Sequence, residues 1–67
     1  MLTRKDYVKI AEVINLSVAE IKADAELELI EPDLADISIL AHRIADYMAT
    51  DNPRFDKAKF VEAAIGE

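Results

Sequence analysis

Apolar side chains at Tyr7, Ala11, Ile14, Val18, Ile21, Ala25 and Leu29 follow one another in steps of 4, 3, 4, 3, 4 and 4. That spacing holds one stripe on one face of an α-helix, and Ile10 widens it. Thr3 followed by Asp6 supplies an N-cap with an acid in the first turn, where a carboxylate meets unpaired backbone N–H groups. A single long helix is therefore expected from Arg4 to near Ile30. A shorter helix closed by Asn15 is the alternative, because Ser17 and Glu20 form a capping-box pattern with Leu16 and Ile21 placed as a hydrophobic staple. The continuous helix is preferred because the stripe keeps its phase across the possible break.

Glu31-Pro32-Asp33 marks the first boundary. Proline disfavours helical geometry in the residue before it and suits the first turn of a new helix, so a second helix is expected at or just after Pro32. Its core face reads Leu34, Ile37, Ala41, Ile44 and Met48, flanked by Leu40, Ala45 and Tyr47. Asp51-Asn52-Pro53-Arg54 is a turn by residue type. Asp56 then reads as an N-cap, with Phe55 before it and Phe60 four residues after it as a staple. A short third helix over about residues 57–64 would end before Gly66, which tolerates the left-handed cap conformation. The expected fold is all-α and a single domain over 1–67: a long helical hairpin, about 4–30 and 32–50, plus the short C-terminal helix.

With one Gly and two Pro in 67 residues, composition agrees with that fold. The absence of Cys excludes a disulfide scaffold, a thiolate zinc site and a cysteine nucleophile. A net charge of −6 argues against direct nucleic-acid binding, which needs clustered Lys and Arg. No stretch approaches the roughly 20 apolar residues of a membrane span. No signal-peptide core interrupts the N-terminal pattern, so a cytoplasmic protein is expected. Domains this small bury only about 60% of the surface their unfolded chain exposes, which favours self-association.

Sites for chemistry are scarce. His42 and Asp46 stand one turn apart, and with Tyr47 they are the only residues to nominate for proton transfer. No Gly-rich loop or serine elbow accompanies them. The Glu-x-x-His pattern of helical di-metal sites fails because Ile39 stands three before His42. Asp33 and Asp36 lack the glycine and alternating ligands of a calcium loop. Neither a metal nor a cofactor is expected, and the chain reads as a non-enzyme.

Apolar residues outside the core stripe are more informative. At 100° per residue, Leu16, Ala19, Ala23, Leu27 and Ile30 form a second stripe well over 100° from the first. Ile39 is stranded among polar neighbours on the second helix. Either the C-terminal helix folds back over the second stripe, or these are scattered exposed apolar residues of no consequence, or the six form an interface with another chain. Charge gathers beside them: from Glu20 to Asp36 there are seven acids against Lys22 alone, so the net −6 resides there and the remainder is neutral. Like charges four apart, such as Glu20 with Asp24 and Asp24 with Glu28, cost about 0.2–0.5 kcal/mol each. Glu20, Asp24, Glu28, Glu31, Asp33 and Asp36 are thus candidates to face a basic partner.

The stretches Leu2-Thr3-Arg4-Lys5-Asp6-Tyr7-Val8-Lys9-Ile10-Ala11 and Ala45-Asp46-Tyr47-Met48-Ala49-Thr50-Asp51-Asn52-Pro53-Arg54-Phe55-Asp56, with Phe60, resemble small uncharacterised helical proteins encoded by bacteriophages and prophages. The likeness covers residues 1–15 and 45–67 and leaves the middle unmatched. It implies a phage or prophage origin and a bacterial cytoplasm, and carries no activity or binding residue across. The expectation is a small phage-type accessory protein that binds a protein, including as an inhibitor of a host or defence factor. The alternative is a self-assembling helical module with a structural or small-ligand role.

Overall fold

The computed structural model describes residues 2–66 and contains three helices: α1 (Arg4–Leu27), α2 (Ala35–Asp51) and α3 (Lys57–Ile65). Among the described residues there is no strand. The all-α expectation therefore holds, with corrections at the helix ends.

α1 opens at Thr3, the expected N-cap, and Asp6 completes a capping box with it. The Thr3 N–H donates to Asp6 Oδ2 at 2.9 Å, and the Asp6 N–H donates to Thr3 Oγ1 at 3.3 Å. The helix is continuous through Asn15 to Ser17. Ser17 Oγ donates back to the Val13 carbonyl at 3.4 Å within the same helix and caps nothing. α1 ends at Leu27, three residues short of Ile30. The Leu29 N–H donates to the Glu26 carbonyl and the Ile30 N–H to the Ala25 carbonyl, at 3.2 and 2.9 Å, the bond pattern of a Schellman cap. Leu29 takes the left-handed position at φ 57° that glycine usually fills. The early stop has an electrostatic reason: Glu26, Glu28 and Glu31 crowd the negative end of the helix dipole, and the last turn holds no base.

α2 begins at Ala35, three residues after Pro32. Asp33 Oδ1 accepts the Ala35 N–H at 3.1 Å, and Leu34 takes the N-cap position with no side-chain cap bond. The 51–54 turn is built on Asn52, whose Oδ1 accepts the Arg54 N–H and whose carbonyl accepts the Phe55 N–H, both at 3.0 Å. Asp56 caps α3 through the Lys59 N–H at 3.1 Å, and Gly66 closes it at φ 79°. Both match the sequence-based expectation.

The main core joins Tyr7, Ala11, Ile14 and Val18 of α1 to Ala41, Ala45 and Met48 of α2 and to Phe60, Val61, Ala64 and Ile65 of α3. Phe55 ties these together: its ring lies 4.5 Å from that of Tyr7 and 5.6 Å from that of Phe60, both tilted. α3 makes its closest backbone approaches to α1, then to α2, while α1 and α2 approach each other least. Asn15 Nδ2 donates to the Ala64 carbonyl at 3.3 Å, and the Leu2 N–H donates to Asp51 Oδ2 at 3.0 Å. Several stripe residues do not behave as expected. Ile21 is only half-buried, Leu29 is 92% exposed, and Leu40 and Tyr47 point outward. The main core takes nothing from α1 beyond Val18, so the far end of the hairpin projects past it.

Two stability outcomes follow from these local geometries. Leu29→Gly should raise stability by about 0.5–1 kcal/mol in thermal unfolding, because it relieves the left-handed strain and removes no buried contact. The Tyr7 hydroxyl is buried without a hydrogen-bond partner. Tyr7→Phe should therefore stabilise by about 1 kcal/mol, and a loss of similar size would show that the hydroxyl is satisfied.

Candidate interaction surface

The outer face of α1 lies opposite the stripe that enters the core. Leu16 is 66% exposed and Leu27 83%, and Ala19, Ala23 and Ile30 are exposed with them. Val8 and Val13, which flank this face, are also exposed. α3 packs against the core stripe and leaves this face open. Ile39 is exposed as well, but on the side of α2 that faces away from the shared core, so it does not join the α1 face.

The six candidate acids are all exposed along the projecting end: Glu20 and Asp24 on α1, Glu28, Glu31 and Asp33 in the connection, and Asp36 in the first turn of α2. Among the described residues none of them forms a salt bridge. Asp33 has a local task, since it accepts the first N–H of α2. The others are available to a partner.

Two features escaped the sequence reading. Leu40 and Tyr47, seven residues apart on α2, form a second exposed apolar strip. Their spacing matched the core stripe, and only the position of α3 decides which edge of that stripe is covered. The second is a groove of about 570 Å³ at the opposite end from the acids, between the start of α1, the 52–56 turn and α3. Tyr7, Val8, Phe55 and Phe60 give it an apolar lining, and Arg4, Arg54 and Lys59 edge it with charge. These three cations form no salt bridge among the described residues. They are scattered in sequence and meet only when α3 folds onto α1.

His42 and Asp46 share a shallow groove of about 270 Å³ with Lys57. Asp46 Oδ1 is 3.2 Å from Lys57 Nζ, an exposed ion pair that links α2 to α3. Tyr47 lies on another side of α2 and does not converge with His42 and Asp46. Among the described residues no three His, Asp or Glu side chains are placed to hold a metal ion, and no helix is long and apolar enough to cross a membrane. Comparison with family models, with curated proteins and with solved structures finds no match to this chain.

One carboxylate titrates away from its ordinary range. The Thr3 backbone N–H, and after it the Thr3 hydroxyl, hold the Asp6 carboxyl below its usual 3.8. A depressed folded value means that the contribution of the capping box is fully present above the unfolded value and is lost as the pH falls through the folded one. Asp6→Asn should therefore lower stability at neutral pH. The gap from the parent chain should close under acid, as followed by helical circular dichroism during pH titration.

Proposed function

We propose that this chain is a non-enzymatic helical module that acts by binding another protein through the outer face of α1 and the acidic end beside it. The observation that carries this reading is the coincidence of Leu16, Leu27 and Ile30, all exposed, with carboxylates that form no ion pair among the described residues. An apolar strip rimmed by one sign of charge suits a partner of the opposite sign, and complementary fields speed association. The resemblance of both ends to phage and prophage proteins makes a bacterial host or defence factor with a basic surface the natural partner, and the bacterial cytoplasm the place of action. Inhibition by covering a surface that otherwise binds nucleic acid is the form such binding would take.

A second reading is favoured by a separate observation. The chain exposes 5164 Å², against about 4,200 Å² for a typical folded monomer of its mass. Self-assembly into a homo-oligomer, with a structural or small-ligand role, would cover that surplus.

Affinity purification from the bacterial host should recover a stoichiometric partner that is lost as salt is raised. Leu27→Asp should abolish that recovery without altering helicity, because Leu27 contributes nothing to the core. Recovery of the chain alone at low salt overturns partner binding.

A further inference from the structure

Resting on the self-assembly reading, we propose that two copies of this chain pair antiparallel through the outer faces of α1. Lys5 and Lys9 of each copy then approach Glu20 and Asp24 of the other.

The apolar component comes first. α1 has 24 residues, a rod of about 36 Å. Leu16 stands at its middle on the uncovered face, with Val13, Ala19, Ala23 and Leu27 along the same side. Ala19 and Ala23 leave room for a second helix to approach. The surplus exposed surface of about 900 Å² per chain compares with the roughly 800 Å² that each partner contributes to a stable interface of ordinary size. Shape agrees: the radius of gyration is 12.9 Å, against about 11 Å for a compact domain of this length.

Charge selects the direction. Lys5 and Lys9 share the angular position of Leu16 and Leu27 on α1, at the opposite end from Glu20, Asp24 and Glu28. Lys9 makes only an exposed pair with Glu12 at 3.5 Å. A two-fold axis at Leu16 sets Leu16 against its own copy, Lys9 against Ala23 with Asp24 beside it, Lys5 against Leu27, and Glu12, already paired with Lys9, level with Glu20. The nearby capping carboxylate of Asp6 is engaged with a backbone N–H group. A parallel pair would instead bring both acidic ends together, where like charges repel. The antiparallel pair uses the same patch twice and closes, so it ends as a dimer.

The chain has no cysteine, so single cysteines report the arrangement directly. Sedimentation equilibrium at low salt should give twice the 7.5 kDa chain mass. Lys5→Glu with Lys9→Glu should raise the dimer dissociation constant at least about tenfold. Adding Glu20→Lys and Asp24→Lys to the same chain should restore the dimer, which a merely misfolded variant would not do. Under mild oxidation Leu16→Cys should cross-link to itself. Ala23→Cys should cross-link to Lys9→Cys in a mixture, and not to itself. A parent chain that stays monomeric at every concentration and salt overturns this pairing and the self-assembly reading together. A dimer indifferent to the charge reversals, or one in which Ala23→Cys cross-links to itself as readily as Leu16→Cys, overturns the antiparallel arrangement and leaves self-assembly standing.

Discussion

The contact on which the rest of the molecule depends is the Phe55 ring, set between Tyr7 and Phe60. α1 and α2 make few close approaches of their own, so a chain without α3 would be two helices joined at one end with little between them. Phe55 belongs to the turn between α2 and α3. By seating on Tyr7 it carries that turn to the start of α1, and Phe60 and Val61 follow into the core. The Asp56 cap fixes the first turn of α3, so that the staple formed by Phe55 and Phe60 sets the angle at which the helix enters. These rings are the largest side chains in and against a core that also holds four alanines.

Seating α3 at one end has a cost at the other. Nine residues of α3 cover only the first half of α1 and the second half of α2. Past Val18, Ala25 is the one α1 residue still buried, and the acids gather there. Burial of those carboxylates without partners would be strongly unfavourable. Their concentration in the uncovered half is therefore consistent with the core placement. The apolar residues in the same half have no such reason to be exposed. Leu16, Leu27, Leu29 and Ile30 gain nothing from water, and a folded monomer gives them no shelter. This conflict between a charged segment that must stay wet and an apolar strip within it makes the outer face of α1 the part of the molecule that calls for a second surface.

Much of this was legible in the chain because it rests on local rules. Thr3 with Asp6, Asp56 with the Phe55 and Phe60 staple, and Gly66 each act within four residues, and each occupies the expected place. The ends of α1 and α2 around Pro32 were less legible. Ile30 continues the apolar spacing, but the backbone there answers to the crowded carboxylates and to a Schellman cap that a leucine occupies against its preference. Leu40 and Tyr47 were read as flanks of a core face because periodicity gives the direction of a stripe and not its covered width. That width depends on the diameter and seat of α3. The cation-edged groove was invisible for the same reason, since Arg4 and Arg54 are fifty residues apart in the chain and become neighbours only through the Tyr7 to Phe55 contact.

The net charge of −6 describes the molecule poorly, because it resides at one end while the remainder is balanced. At the core end, Arg4, Lys5, Arg54 and Lys59 stand beside carboxylates already engaged in capping. At the far end, carboxylates stand without bases. Ions of opposite sign held some 30 Å apart on one rigid helix cannot neutralise each other, because salt screens interactions beyond about 8–10 Å. Neutralisation has to come from another molecule, and the helix spacing sets what that molecule must offer: a basic surface near the turn, an apolar strip along the middle, and no demand at the core end unless it is acidic there. A generic basic partner meets the first two conditions. A second copy turned end for end offers the apolar strip and brings Lys5 and Lys9 toward Glu20 and Asp24, which is why the charge pattern of a single chain favours that orientation of pairing over a parallel one.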